Sequence, residues 1–462
     1  MKSFFFLFLL LLPLLSPGQR APARPQQLTR QQLTKPATVP AAPPLSLQEA
    51  IATALQHNYG ILLSRRDEQI AGNNVTRGNA GQLPSLTGNL TRTFNNNNIN
   101  QRFGGNDPRV INGATSNIFN TNVTLGWTIF DGFGMFIAYD RLKTLRQQQQ
   151  QITRATVEET VENVTNAYYD VVRQAGKITS LEAALKIGQA RIDLTQAQVE
   201  VGVSAKVEVL TARVDYNADR SLLLQQQQAL TAAKITLNNL LGRTPRLDFA
   251  PSDSLVVTRD LREDVMTAGI KANNPRLAQA RLGADVATYN RKLARAARFP
   301  QVGIVSGYGL NRNINNAAFA GTVLTTSTNQ VQGLNYGITA SVPIFDGFNL
   351  RRLEQNARVV EEQSQLSLDQ TTLQLDADAA TAFAQYQNFL QLLDLEETNI
   401  QLARQNVDIA LERYRLGLLT PLALREAQRN ELAAETRLLD IRYSAKQAEI
   451  ALRRLSGGLV RG

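Results

Sequence analysis

The sequence predicts an α+β membrane protein, built mainly of long helices with four β-strands per chain and an internal two-fold sequence repeat. Three observations lead there. Landmarks recur at a fixed shift, proline-free stretches run for 68 residues, and four segments alternate apolar and polar side chains.

The repeat comes first because it sets the order of everything else. Phe130-Asp131-Gly132-Phe133 returns as Phe345-Asp346-Gly347-Phe348, 215 residues later. Val201-Gly202-Val203 returns as Leu416-Gly417-Leu418, and Leu240-Leu241-Gly242 as Leu455-Ser456-Gly457, at the same shift. Asn58 and Asn274, like Pro84 and Pro300, stand 216 apart. Spacing held to the residue over such distances requires long rigid elements. The unit is far larger than the roughly 20–50 residues of a solenoid repeat, and the one-residue slip falls between Pro84 and Phe130, where a loop absorbs it.

Residues 1–18 read as a secretory signal: Lys2, an apolar run Phe4–Leu15, then Ser16-Pro17-Gly18. The run is shorter than the roughly 20 residues a membrane-spanning helix needs. Residues 19–45 are rich in Pro and Gln, with Arg20, Arg24, Arg30 and Lys35 and no acid, which suits a disordered tether. The formal charge is +10, but Lys2 and the four tether residues supply half of it, and no aromatic-flanked basic cluster follows. That argues against nucleic acid as a partner. The chain has no cysteine, so disulfides, thiol chemistry, Cys-ligated metals and a cysteine-linked lipid are excluded. Beyond residue 18 no apolar run is long enough to span a bilayer as a helix. Contact with lipid therefore falls to strands.

Each copy reads helix, strand, loop, strand, long helix, tight turn, helix. The first repeat covers 46–242, with helices at 47–83, 133–200 and 204–240 and strands near 85–94 and 121–131. The second covers 261–457, with helices at 261–299, 348–415 and 419–455 and strands near 301–311 and 335–346. Residues 243–260 link them at mid-height. Ser46 with Glu49 makes a capping box, and Pro84 and Pro300 stop the first helix of each copy. Val157, Val161, Val164, Tyr168 and Val171 mark a coiled-coil-like seam on a helix about 100 Å long.

Leu86, Gly88, Leu90 and Phe94 alternate with polar residues, as do Val123, Leu125, Trp127 and Ile129; Val302–Leu310 and Ile338–Ile344 are the counterparts. Such alternation fits either a half-buried soluble strand or a barrel strand, apolar towards lipid and polar towards a lumen. Four strands make no sandwich core, so the membrane reading is preferred. Trp127, Leu125, Ile338 and Val342 are expected to face lipid, and Thr124, Thr128, Thr339 and Ser341 the lumen. The Asn- and Gly-rich stretches 95–121 and 311–335 read as extracellular loops. The Phe-Asp-Gly-Phe corners read as turns, with Phe130, Phe133, Phe345 and Phe348 in an aromatic girdle at the membrane interface.

Known barrels start at eight strands. Two chains would give a barrel filled by side chains; three give twelve strands and an open lumen, so a homotrimer is expected, continued below as a helical barrel.

The same residues carry a resemblance. The Leu-Gln-Glu-Ala-Ile helix with Gln56-His57-Asn58, Pro84, Phe-Asp-Gly-Phe, Val-Gly-Val with Glu208-Val209-Leu210-Thr211-Ala212-Arg213, and the closing Leu-Asn-Asn-Leu-Leu-Gly together resemble the TolC-type outer-membrane efflux protein family. The resemblance covers nearly everything after Leu45. It implies a trimeric channel-tunnel in the Gram-negative outer membrane, without enzymatic activity or cofactor. Its periplasmic tip would dock a membrane-fusion adaptor and, through it, an inner-membrane pump.

The tips are then Val201, Gly202, Val203, Leu416, Gly417 and Leu418. The resemblance further implies a lumen constriction at Glu208, Tyr414 and Glu426, matching family positions for two acids and a tyrosine. The chain departs from some members at Leu419, where they carry arginine, and at Ala423, where they carry an acid. His57, the single histidine, has no second His or Cys to make a metal site or a triad. Two rival readings are a passive porin or adhesin on a periplasmic helical stalk, and a soluble fibrous protein.

Overall fold

The computed structural model describes residues 43–102, 108–320 and 323–459. The signal and all but the last residues of the tether lie outside them. The chain runs β1 (Pro44–Leu45), α1 (Leu47–His57), α2 (Tyr59–Asn74), β2 (Ser85–Gln101), β3 (Arg109–Phe130), α3 (Gly134–Glu200) and α4 (Lys206–Leu240). It continues through β4 (Ala250–Pro251), α5 (Glu263–Asn273), α6 (Pro275–Ala296), β5 (Gln301–Ala320), β6 (Val323–Ser341), α7 (Asn349–Arg415) and α8 (Pro421–Leu455). The long helices α3 and α7 both have 67 residues, and the return helices α4 and α8 both have 35.

The first helix of each half is not continuous, which corrects the expected 47–83 and 261–299. Asn58, with φ −65° and ψ 123°, ends α1 and caps α2, its Oδ1 accepting from Ile61 N at 3.2 Å. Its Nδ2 donates to Leu240 O at 2.8 Å, satisfying a carbonyl left over at the end of α4. Asn274 repeats the device, accepting from Arg276 N and Leu277 N and donating to Leu455 O at 2.9 Å. A tertiary bond thus wins over helix propensity at both positions. It also sets α2 and α6 running on from the ends of α4 and α8.

Gly242 and Gly457 close these junctions. Both have positive φ, and a Cβ on Gly242 would lie 2.3 Å from His57 O, one on Gly457 2.6 Å from Asn273 O. No other residue fits there.

The linker is pinned to the middle of the long helices. Phe249 is buried with Leu45, Ala50, Val164, Tyr168 and Val171. Pro44–Leu45 pairs in parallel with Ala250–Pro251, so the last residues assigned to the tether are ordered. Tyr168, midway along α3, donates to Leu45 O at 2.9 Å and to Asp253 Oδ2 at 3.0 Å. Asp253 Oδ2 also accepts from Leu47 N. Burial pushes the Tyr168 phenol upward, keeping it a neutral donor. On the other side Glu449, almost fully buried, accepts from Thr258 N and Oγ1 and pairs with Lys446 and Arg453.

The four long strands form one antiparallel sheet ordered β2-β3-β5-β6. Most of the residues expected as loops are strand: Asn97 still pairs with Ala114, and Asn315 with Ser327. Asn and Thr do not mark a loop here because their side chains bond across the ribbon, as Asn95 Nδ2 does to Ser116 Oγ at 3.0 Å. In the other direction β6 ends at Ser341, short of the expected 346, since Pro343 has no N–H for the ladder.

Register gathers the apolar residues on one face. Trp127, Ile304 and Ile338 are directly opposite one another, as are Leu86, Leu125, Ser306 and Tyr336, then Val123, Tyr308 and Leu334. The other face carries Thr87, Thr124, Gly307 and Asn335, then Asn89, Asn122, Gly309 and Gly333. This small, polar face is the concave one. It encloses a depression of about 660 Å³, and a Cβ on Gly307 or Gly309 would lie only 2.8–3.0 Å from a neighbouring asparagine side chain.

At the helical end of the sheet two consecutive left-handed residues turn each strand into its long helix: Gly132 (φ 68°) and Phe133 (φ 67°), Gly347 (φ 67°) and Phe348 (φ 63°). Left-handed phenylalanine is strained. Edge-to-face packing helps hold it, Phe130 on Phe133 and Phe345 on Phe348, each at 5.4 Å between centroids. Phe133, Phe345 and Phe348 remain exposed around the corner, and Phe130 is partly buried.

Candidate functional site at the helical tips

The far ends of α3/α4 and α7/α8 form two tight hairpins. Gly202 (φ 79°) and Gly417 (φ 73°) each occupy the left-handed position after a helix. Val203 N bonds back to Gln198 O at 2.9 Å and Leu418 N to Arg413 O at 2.8 Å, closing the turn on the last free carbonyls. The second hairpin restarts more firmly. Thr420 caps α8 through Ala423 N, with Pro421 in its first turn, whereas Ala205 offers α4 no side-chain cap. Nothing lies within 4 Å of a Cβ built on either tip glycine. Val201, Val203, Leu416 and Leu418 are 66–75% exposed, so each hairpin ends in an apolar knob facing solvent.

Behind the knobs, α4 and α8 border a groove of about 1030 Å³. Glu208, half-buried, lines it together with Thr211, Leu222, Pro421 and Leu422. Its floor is an ion network. Arg425 donates to Asp219 through both terminal nitrogens, at 2.6 and 2.8 Å, and its Nε stands 3.6 Å from Asp215. Asp215 in turn receives Arg191 at 2.5 Å. Arg191 and Asp219 are buried, and the bonds to Asp219 hold the Arg425 guanidinium even more firmly protonated than usual. The network ties α3 and α4 of one hairpin to α8 of the other.

The three residues expected at a constriction are not brought together. Glu208 lines the groove, Glu426 is exposed on α8 outside it, and Tyr414 is 3% exposed. Tyr414 packs with Val407, Leu424 and Ala427, and its hydroxyl meets Thr195 Oγ1 at 2.8 Å. It joins α7 to α3 inside the protomer. Arg191, Asp215, Asp219 and Arg425 were not foreseen. Asp215 and Asp219 at i and i+4 on a mixed helix are a faint signal, and no sequence spacing points to an arginine 206 residues away.

A second feature runs along α7. Ala379, Tyr386, Leu393, Ile400, Val407 and Tyr414 are buried at seven-residue steps. Leu395, Leu402, Ile409 and Leu416 repeat at the same step two residues further on and are all exposed, as are Val359, Leu366 and Leu373. Two residues are about 200° of helix, so α7 has two apolar seams on opposite sides, one of them uncovered in the single chain.

Among the described residues, no helix is long and apolar enough to cross a membrane, and no three His, Asp or Glu residues could hold a metal ion. What remains is a sheet with an apolar outer face set on long helices with uncovered seams, the parts of a membrane channel. The chain belongs to the outer membrane efflux protein family, whose model matches residues 50–243 and 269–458, one segment in each half. Its place is the outer membrane, with the helices projecting into the periplasm.

Among its relatives, the toluene efflux pump outer membrane protein TtgC of Pseudomonas putida is 24% identical over 425 residues, covering 89% of this chain and 83% of that one. Protein CyaE of Bordetella pertussis is 24% identical over 267 residues, and the alignment spans only 54% of its length. In fold the chain is similar to the outer membrane protein VceC of Vibrio cholerae, with a TM-score of 0.71 at 19% identity, covering 89% of this chain and 96% of that structure.

Proposed function

We propose that three chains close their twelve strands into one transmembrane β-barrel that continues as a tube of helices, and that this channel-tunnel is the exit duct of a tripartite efflux or type I secretion system. The two seams of α7 carry the reading. A helix in a closed cylindrical wall must pack on a neighbour at each side, and α7 has a covered seam and an exposed one of the same heptad step. The sheet supports it from the other end: its two edge strands, β2 and β6, are long, and closure with neighbouring chains removes the edges.

The apolar face then meets outer-membrane lipid, with Phe130, Phe133, Phe345 and Phe348 at the periplasmic interface. The apolar knobs at Val201–Val203 and Leu416–Leu418 are where a periplasmic membrane-fusion adaptor docks, with the inner-membrane pump behind it. Helices about 100 Å long suit a conduit across the periplasm. The duct performs no chemistry, and the pump supplies the energy.

Detergent-purified protein should be a trimer. Leu402→Glu with Ile409→Glu should dissociate it while leaving helix content unchanged. A monodisperse wild-type monomer, or a dimer with a complete barrel, would sink the assembly. Photo-cross-linkers at Val203 and Leu418 should capture the adaptor, and failure of both would remove the docking claim.

A further inference from the structure

The sheet carries charge of only one sign. Among its described residues there is no Asp, Glu or Lys, and the formal charges are Arg92, Arg109 and Arg312. Register puts two of these in one row. Arg92 pairs with Phe119 and Phe119 with Arg312, so both arginines flank one phenylalanine, about 10 Å apart across two strand spacings.

The row lies on the apolar face. Arg92 follows Leu86, Gly88 and Leu90 in steps of two, and Arg312 follows Val302, Ile304, Ser306, Tyr308 and Leu310 in the same way. Both are exposed. The guanidinium of Arg92 lies 4.9 Å from the Phe94 ring, and its Nε donates to Asn117 Oδ1 at 3.3 Å. A cation held against an aromatic ring is the side-chain combination of a membrane interface rather than of its interior.

Depth can be read from the register. From the Val302 row, next to the periplasmic corners, to the Arg312 row is ten residues. At about 3.4 Å per residue and a tilt of about 40°, that is about 26 Å along the membrane normal. A barrel's apolar band is about 25 Å tall. The arginine row therefore coincides with the outer edge of the band, where outer-leaflet headgroups lie, and no carboxylate on the sheet neutralises it.

We propose that Arg92 and Arg312 form, once per chain, a lipid-facing site for the phosphate groups of a phosphorylated glycolipid of the outer leaflet. Arginine's planar fork pairs with phosphate oxygens in two parallel bonds. Two forks on either side of Phe119 match a headgroup with more than one phosphate, while its acyl chains run down the face of Leu90, Tyr308 and Leu334. The assignment rests on the barrel reading above.

Native mass spectrometry of the detergent-purified protein, titrated with diphosphoryl lipid A, dephosphorylated lipid A or phosphatidylethanolamine, tests it. Wild type should retain diphosphoryl lipid A at least about tenfold more strongly than either other lipid, a difference of one order in affinity. Arg92→Gln with Arg312→Gln should abolish that preference. Arg102→Gln, just past the end of β2 and ten residues beyond the Arg92 row, should not, and millimolar inorganic phosphate should not displace the lipid. Equal retention of dephosphorylated lipid A by wild type overturns the site, as does an unchanged preference in the double variant or an equal loss in Arg102→Gln. Oligomeric mass and channel conductance, read on the same samples, separate these results from failure of the barrel reading. The wild-type comparison needs no variant to fold.

Discussion

Arg425 on α8 and Asp219 on α4 are joined by two hydrogen bonds of 2.6 and 2.8 Å, linking the two tip hairpins of one chain. Asp219 is almost wholly withdrawn from water, and the Arg425 guanidinium is the charge that compensates it. Removing one partner of a buried pair costs about 3 kcal/mol or more, because the other charge is left uncompensated. Arg425→Ala should therefore loosen the tip, with Arg191 retaining only Asp215. In planar bilayers the variant is expected to show a larger or more frequently open conductance than wild type. Unchanged conductance would mean that the pair is structural alone.

The glycines divide into two groups with different expected costs. Gly242→Ala adds a Cβ 2.3 Å from a backbone carbonyl as well as a left-handed φ, and Gly457→Ala one at 2.6 Å. Gly202 and Gly417 have open space around them, so alanine there costs only the left-handed penalty, about 1–2 kcal/mol. Gly242→Ala should abolish assembly, while Gly202→Ala should assemble and lose adaptor cross-linking. Equal yields of folded trimer from both variants would contradict the junction geometry.

The contrast shows what the sequence could reveal. Gly202, Gly242, Gly417 and Gly457 were legible because a left-handed position imposes a residue type, and the 67-residue helices because nothing interrupts their pattern. The break at Asn58 was not legible. Its cause is a bond to Leu240 O, 182 residues away, and Ser46 with Glu49 signalled only where the helix starts. The hairpin extensions read as loops in sequence because Asn95, Asn97 and Ser116 are common loop residues, and only cross-strand pairing reveals their ladder. Tyr414 follows from the resemblance, which fixes a position along the helix but not the contact with Thr195.

The register makes a sharp prediction about the two faces. Leu125 shares its row with Leu86 and Tyr336, while Thr124 shares the concave face with Thr87 and Gly307. Leu125→Arg should destabilise the barrel by about 2–4 kcal/mol near mid-depth. Thr124→Arg should be tolerated and should lower cation conductance. Denaturant unfolding in lipid vesicles measures the first and single-channel recording the second. The reverse pattern would shift the register by one.

Glu431 on α8 gives a pH signature. Burial pushes its carboxyl above the ordinary 4.5, and Glu435 and Asp408 push in the same direction against Arg404. The folded chain then holds this proton more tightly than the unfolded chain. Its stabilising effect is complete below pH 4.5 and is lost as pH rises through the higher folded value. Glu431→Gln should raise the thermal midpoint at pH 7.5 and leave it near wild type at pH 4. A lower midpoint at pH 7.5 would show that the carboxylate has a partner across the assembly.

Ion selectivity tests the tips as a mouth. Three chains would present six hairpins around one opening, so each acid facing the axis is repeated three times. Clustered carboxylates attract cations and raise their local concentration. Glu426 is exposed and makes no salt bridge among the described residues, whereas Glu208 is half-buried in the groove near the charges of Arg425 and Arg429. The resting channel should therefore be cation-selective, with Glu426→Gln weakening the selectivity more than Glu208→Gln. Reversal potentials in asymmetric KCl measure both. A double Gln variant with unchanged reversal potential would remove both acids from the mouth.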